Sequence, residues 1–476
     1  MNIIQKEPLL KDLGEFGESI QKDCYIIGGY VRDYLLGRPS KDIDILVIGD
    51  GIQFATEYAK RQKKEKSLVI YKNFGTAMIR MGNVEIEFVG ARKESYEENS
   101  RKPFVEKGTL LEDQSRRDFT INALAIKLFS LAEEAPEIID AFGGLNDLSK
   151  KIIRTPLEPD KTFSDDPLRM MRAVRFACQL QFTLDHPTKV SIYKNRERIS
   201  IISRERIRDE FCKIILSPKP SLGFILLDEL GLLSIIFPEF IRLKGVENVG
   251  GRSHKDNFYH TLEVLDNVSD KTNDLWIRWS AILHDIAKPQ TKRFDPQVGW
   301  TFHGHEDKGS RMVSKIFRNF SLPLGENLKM VEKLVLLHLR PIVLAKESVT
   351  DSAVRRLLFE AGADIDALMI LCNADITTKN EYKAKKYREN FELVKLKLVE
   401  VEANDKLKNW QPPISGTDIM EMFNIKEGRE VGILKNAIRE AILDGIIPNK
   451  REDALSFTIT KGKELGLKTI WDKMGI

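Results

Sequence analysis

Tyr25-Ile26-Ile27-Gly28-Gly29-Tyr30-Val31-Arg32-Asp33-Tyr34-Leu35-Leu36-Gly37-Arg38-Pro39-Ser40-Lys41-Asp42-Ile43-Asp44-Ile45-Leu46-Val47-Ile48 is the stretch whose reading decides the fold. An apolar run through Ile26 and Ile27 meets Gly28-Gly29, where backbone approaches a ligand closely, and a short helical segment then stops at Gly37 with Pro39 behind it. The chain resumes at Asp42 rich in β-branched residues. A period of two puts Asp42 and Asp44 on one face, with Ile43, Ile45 and Val47 on the other. Two strand rises separate the acids by ~7 Å at Cα, near enough to share hard divalent cations. The Gly28 and Gly29 amides and Arg32 suit phosphate. Acids for metal beside donors for phosphate point to metal-assisted phosphoryl or nucleotidyl transfer.

Composition sets wide bounds around that core. With 476 residues the chain holds several domains. Lys+Arg 75 against Asp+Glu 71 gives a net charge of only +4, which permits a nucleic-acid partner and makes any basic surface local. Cys24, Cys178, Cys212 and Cys372 are scattered without a C-x-x-C pair, so neither a zinc ribbon nor a disulfide framework is indicated. No segment approaches 18 apolar residues and the N-terminus has no apolar core, so the expectation is a soluble, cytoplasmic protein with no membrane contact.

From Gly51 the pattern turns helical through Phe54, Ala55, Tyr58 and Ala59, then returns to strands at Leu68–Tyr71, Ala77–Arg80 and Val84–Val89, an α/β head. In the last of these Glu85 and Glu87 alternate with Val84, Ile86 and Phe88. Glu87 reads equally as a third acid beside the Asp42/Asp44 strand or as a solvated edge-strand residue. Lys93 to Gln114, with Pro103 and Gly108, is polar and poorly periodic and reads as a mobile loop.

Gly28-Gly29-x-Val31-Arg32-Asp33 followed by Asp42-x-Asp44 resembles the first motif of the class II tRNA nucleotidyltransferase and bacterial poly(A) polymerase family, within the DNA polymerase beta superfamily. Arg116-Arg117-Asp118-Phe119-Thr120-Ile121-Asn122-Ala123-Leu124-Ala125 resembles its second motif, in which the arginine at the position of Arg117 contacts nucleotide phosphates. The resemblance implies Mg2+ at Asp42 and Asp44, Glu87 as the better candidate for the third acid, and the 93–114 loop as the element that switches from adding C to adding A. Asp140 to Leu148 also has the family's look and reads as a turn with a hinge role.

Ser164-Asp165-Asp166-Pro167-Leu168-Arg169-Met170-Met171-Arg172-Ala173-Val174-Arg175-Phe176 combines an N-cap at Asp166, Pro167 at the first helical position and arginines at steps of three. Cytosine and adenine both present an amino donor beside a ring-nitrogen acceptor. An accepting Asp beside a donating Arg therefore selects C and A together, without a nucleic-acid template. Asp166 and Arg169 supply that pair. The stretch resembles the family's nucleotide-recognition motif, which implies that Arg172 and Arg175 support the base or triphosphate. The helix opening at Ser203 to Phe211 resembles a last motif in which an arginine and a glutamate brace the neck.

A second chemical system follows. Six of the seven histidines fall between residues 254 and 338. His260 opens one amphipathic helix, His284-Asp285 closes another, His303 and His305 share a Gly-containing loop, His338 ends an apolar helix, and Asp375 follows Asn373-Ala374. Imidazoles with carboxylates suit transition metals. The set resembles the HD phosphohydrolase pattern, which implies one site at His260, His284, Asp285 and Asp375 holding Mn, Ni, Co or Mg, with His305 or His303, and His338, as second-site or phosphate contacts. Such modules act as phosphatases or 2′,3′-cyclic phosphodiesterases in some members and are inert in others.

Lys379 to Lys397 reads as a basic helix with Lys383, Lys385, Lys386 and Arg388, its apolar stripe running through Tyr387, Phe391, Val394 and Leu398. Solvated charge and RNA contact explain it equally. In the tail, Gly416-Thr417-Asp418 and Gly428 to Gly432 offer amides to phosphate or simply cap helices. The expectation is a multidomain α+β protein: an α/β nucleotidyltransferase head at 1–150, a helical neck and RNA-binding region at 151–245, an HD domain at 246–380 and a helical tail at 381–476. The resemblance implies CCA addition to the tRNA 3′ end and acceptor arm from CTP and ATP. A poly(A) polymerase, a CC-only or A-only enzyme, and an HD phosphohydrolase with an RNA-binding head are the rivals.

Overall fold

The computed structural model describes residues 7–40, 42–95, 104–129, 137–344, 350–377, 380–405 and 410–470. They form two units, Met1–Pro238 and Glu239–Ile476.

In the first unit the opening stretch folds as strand, turn, helix, strand. Its elements are β1 (Cys24–Ile27), α2 (Gly29–Leu35) and β2 (Asp42–Val47), preceded by α1 (Pro8–Ser19). Then come α3 (Gly51–Arg61), β3 (Leu68–Tyr71), β4 (Thr76–Met81) and β5 (Val84–Gly90). Asp50 caps α3, accepting hydrogen bonds from the amides of Ile52 and Gln53. With β8 (Ala125–Lys127) and β9 (Ile138–Ile139) these strands make one mixed sheet in the order β3-β4-β5-β2-β1-β8-β9. The β2–β5 pair is parallel and sets Asp42 opposite Glu85 and Asp44 opposite Glu87.

Ile43, Ile45 and Val47, with Ile86 and Phe88, join Leu13 and Phe16 of α1 and Phe54 and Tyr58 of α3 in one core cluster. Leu46 belongs to a separate cluster on the opposite face, with Tyr25 and Ile27. Because successive side chains alternate, burying the first set fixes Asp42, Asp44, Glu85 and Glu87 on the second face.

The expected loop at 93–114 is largely ordered. β6 (Arg92–Ser95) pairs antiparallel with β7 (Phe104–Lys107), and α4 (Leu110–Ser115) follows behind a Thr109/Glu112 capping box. Residues 96–103, with Pro103, lie outside the described residues. Asp140, expected in a turn, accepts from the amides of Gly144 and Leu145 and opens α5 (Gly144–Lys150). Helices follow: α6 (Pro159–Asp165), α7 (Leu168–Leu180), α8 (Arg204–Ile215) and α9 (Pro220–Glu229). The α7 helix begins one residue later than expected, and Asp166 still caps it by accepting from the Leu168 amide at 3.1 Å.

The second unit is mainly helical. Its HD part contains α10 (Asn257–Ser269), α11 (Leu275–Leu283), α12 (His305–Asn319), α13 (Glu326–Leu337) and α14 (Ile365–Ala374). The basic helix forms as α15 (Glu381–Asp405), with Phe391, Val394, Leu398 and Val401 buried and Lys385 and Lys386 exposed. Lys379 and the side chains of Lys383 and Arg388 lie outside the described residues. The tail helices α16 (Gly416–Phe423), α17 (Arg429–Leu443) and α18 (Arg451–Glu464) share a core of Ile419, Phe423, Leu434 and Ile438. The Gly416-Thr417-Asp418 run is a helix cap: Asp418 closes a capping box with Ser415 and pairs with Arg451 at 2.6 Å. Among the described residues no helix is long and apolar enough to cross a membrane.

Candidate active sites

The head site is built around Gly28. Its φ of +82° is left-handed, and a Cβ there would stand 3.1 Å from Arg117 Nη1 and 3.3 Å from Asp44 Oδ2. Only glycine fits both the backbone angle and the crowding. Asp44 has its pKa pushed up to about 6, chiefly by burial; Arg117 opposes the rise, while Glu87 and Asp42 add to it. Three acids crowded with too little positive charge are the donor set a hard divalent cation neutralises. Glu87, read two ways from the sequence, stands beside Asp44 in the sheet. Glu85 instead pairs with Arg80 at 3.0 Å.

Arg117 is aimed by a residue that sequence reasoning missed. Asp113 is completely buried and binds Arg116 through one carboxylate oxygen and Arg117 through the other, at 3.1 Å from Arg117 Nε. Arg169 donates to the Arg116 carbonyl, and Arg172 contributes to the field at Asp44. Of the α7 arginines, Arg172 is thus within electrostatic reach of the acid cluster, and Arg169 is tied to the residue preceding Arg117. Asp166 faces Arg206 at 3.4 Å through the carboxylate oxygen that does not cap α7.

Two of the arginines are buried beside partners of their own. Arg32, expected to hold phosphate, is 7 % exposed; it donates twice to the adjacent Asp33 and, at 2.7 Å, to Asn122 Oδ1. Arg175, expected to support the nucleotide, is 8 % exposed with its Nε 3.0 Å from Glu210 of α8. Burial lowers its pKa to about 10 despite that partner. Arg32 spends three donors inside the protein, whereas Arg175 forms a buried ion pair with Glu210 without hydrogen-bond geometry at Nε. The Phe176 ring gathers them, with guanidinium carbons of Arg32, Arg172 and Arg175 at 5.0, 5.3 and 4.2 Å from its centroid.

Asp118 holds this group together. It accepts from Arg172 Nε at 2.7 Å and from Asn122 at 3.0 Å. Burial alone would raise its pKa, but Arg172 and Asn122 pull it down from 3.8 to about 2. A depressed carboxyl adds stability that is full above the unfolded pKa and is lost as pH falls through the folded one. Asp118→Asn is therefore expected to cost about 2 kcal/mol at pH 7, a difference from wild type that vanishes between pH 4 and 2 in denaturant melts.

The HD histidines converge through one repeated local device. His284, His305 and His338 each place Nδ1 at 2.6–2.7 Å from a carbonyl three residues earlier, those of Ala281, Phe302 and Val335. Donating there fixes the Nδ1–H tautomer and leaves Nε2 free to ligate. His260 Nδ1 meets Thr377 Oγ1 at 3.0 Å, and Lys255 also donates to that hydroxyl.

His260 Nε2 lies 2.9 Å from Asp375 Oδ1 and 3.5 Å from Asp285 Oδ2, and His284 Nε2 lies 3.3 Å from the same Asp285 oxygen. The other oxygen, Asp285 Oδ1, lies 3.3 Å from His305 Nε2 and 4.0 Å from His338 Nε2, and those two nitrogens are 3.3 Å apart. Asp285 thus belongs to two ligand clusters. The His284 Nε2 atom is buried without a hydrogen-bond partner, as expected of a ligand atom reserved for a cation. His338 is held neutral, its pKa lowered to about 3 by burial and by the nearby His284. His303, the alternative to His305, is exposed. Lys288, unnoticed in the sequence, donates to Asp285 Oδ2 at 2.6 Å.

Sheet order, acid cluster and flanking arginines define a nucleotidyltransferase head, and the second unit carries an HD-type ligand set. The Poly A polymerase head domain model matches residues 24–154, the probable RNA and SrmB-binding site of polymerase A 181–243, and the HD domain 257–380. A CC-adding tRNA nucleotidyltransferase of Thermus thermophilus is 28% identical over 445 residues, covering 90% of this chain and 92% of its own. A CCA-adding enzyme of Lactobacillus delbrueckii is 41% identical over 295 residues, 60% of this chain and 65% of that protein. In fold the chain is similar to the Bacillus stearothermophilus CCA-adding enzyme solved with CTP, with a TM-score of 0.67 at 22% identity over 98% of this chain and 99% of that one. The chain belongs to the class II tRNA nucleotidyltransferase and bacterial poly(A) polymerase family, with an HD domain.

Proposed function

We propose that the protein adds CCA to tRNA 3′ ends from CTP and ATP without a nucleic-acid template, in a chain divided into head (1–150), neck (151–245), HD (246–380) and tail (381–476). The observation that carries this reading is the parallel register of Asp42-x-Asp44 with Glu85-x-Glu87, beside Gly28 and Arg117. Asp42, Asp44 and Glu87 would hold Mg2+, which when bound activates the tRNA 3′-hydroxyl and neutralises charge on the departing pyrophosphate. Arg117, aimed by Asp113, binds the triphosphate, with the Gly28 and Gly29 backbone beneath it. Arg172 adds positive charge, while Arg32 and Arg175 act from behind by holding Phe176 and α7. Asp166 accepts from the amino group of C or A and Arg169 donates to the ring nitrogen, an order that uracil and guanine reverse.

Addition restricted to CC is a second reading, favoured by the Thermus thermophilus relative that aligns with 90% of this chain. Purified protein with a tRNA lacking its last three nucleotides separates the readings. We expect two additions with CTP alone, none with ATP alone and three with both; arrest at two with both substrates establishes CC addition, and a long adenylate tail a poly(A) polymerase.

In the HD domain, His260, His284, Asp285 and Asp375 would hold one divalent cation and Asp285, His305 and His338 a second, of Mn, Ni, Co or Mg. Such ions supply an activated water for phosphoester hydrolysis. The chain's own groups orient the imidazoles through Ala281, Phe302 and Val335, and Lys255 and Lys288 place positive charge beside the ligand set, at Thr377 and Asp285.

A further inference from the structure

The net charge of +4 hides a strongly local surplus. Lys60 to Lys72, at the end of α3 and along β3, holds six basic residues and one acid, +5 in all, which leaves −1 for the rest of the chain. Arg61 is spent on Asp12 at 3.1 Å. Lys60, Lys63, Lys64, Lys66 and Lys72 are exposed, and none of the five forms an ion pair among the described residues. Beside them β3 is the outer strand of the sheet, and Tyr71 and Phe74 are 41% and 70% exposed.

Apolar rings left in water beside uncompensated lysines have one common complement, a sugar–phosphate backbone whose bases stack on the rings. The edge lies three strand spacings, ~14 Å, from the Asp42/Asp44 strand. We propose that this face of the head is an RNA contact, separate from the region 181–243 matched by the RNA-binding family model, and that it grips the phosphate backbone of the tRNA substrate. The inference rests on the tRNA reading above. The competing role for lysines here is to keep an apolar sheet edge from pairing with another chain.

The test is tRNA binding by the full chain over a range of salt concentrations, with Lys63→Gln/Lys64→Gln/Lys66→Gln, the matching triple Lys→Arg variant, and Tyr71→Ala/Phe74→Ala. Each phosphate contact contributes roughly 0.7–0.9 to the slope of log affinity against log salt. The glutamine triple is expected to flatten that slope by about 2 and to weaken binding by roughly tenfold or more at 0.1 M salt, while the arginine triple restores both. The ring variant is expected to weaken binding roughly tenfold with the slope kept. KM for tRNA rises in both, and KM for CTP does not.

An unchanged slope in the glutamine triple, with wild type binding tRNA, overturns the proposal; self-association of that variant would then assign the lysines to guarding the edge. Failure of the wild type to bind tRNA removes the substrate reading itself.

Discussion

Replacing Asp44 with Asn is expected to lower incorporation of both CTP and ATP by about three orders of magnitude or more, with tRNA affinity within about twofold of wild type. The loss is expected not to come from unfolding, and the sign of the pKa shift says why. A carboxyl raised from 3.8 to about 6 binds more protons folded than unfolded, so its ionised form works against folding above pH 6 and the penalty fades below about 4. That penalty is on the order of 2–3 kcal/mol at pH 7.5 without metal. Metal-free Asp44→Asn should therefore melt no lower than wild type, and Mg2+ should stabilise wild type at pH 7.5 far more than at pH 5 and the variant at neither. Retained incorporation removes Asp44 from the chemistry. A fall in the variant's melting temperature removes the argument that the acids are held together at a cost.

That cluster was legible in part. Asp42 and Asp44 could be placed on one face because a strand buried on its other face admits one parity, and Ile43, Ile45 and Val47 supply it. Glu87 could not be fixed, because its position depends on β5 pairing parallel with β2 across two intervening strands in sequence. The partners of Arg32 and Arg175 were illegible for one reason. A guanidinium looks available until its partners are known, and Glu210 lies 35 residues from Arg175 while Asn122 lies 90 from Arg32. Asp33 stood next to Arg32 all along. Asp113 was hidden because a carboxylate buried under two arginines looks, in one dimension, like a charged loop. In the HD domain, His305 and not His303 is the inward residue. The signal lay in Gly304, whose left-handed φ of +75° starts α12 so that His305 occupies its first turn.

Asp285→Ala is expected to empty the HD domain of metal altogether, because its two oxygens serve different histidine pairs. His260→Ala should remove only the ion of the His260/His284/Asp375 set, and His338→Ala only that of the His305/His338 set. Metal content after dialysis against Mn2+ or Ni2+ reads this directly: two ions in wild type, one in either histidine variant and none in Asp285→Ala. Hydrolysis of a 2′,3′-cyclic phosphate should fall by about three orders of magnitude in Asp285→Ala, with nucleotide incorporation by the head unchanged. Acid should empty the domain in wild type too. His284 is buried, which disfavours its charged form, yet Asp285 and Asp375 raise its pKa above 6.5. The titrating atom is Nε2, since Nδ1 is committed to Ala281, so a proton and a cation compete for one lone pair. Lowering the pH through that raised value should release metal while the His305 pair, bound through a neutral His338, holds its ion to lower pH. Loss of both ions together at one pH, or two ions persisting in Asp285→Ala, would show that the carboxylate does not divide its oxygens between two sites.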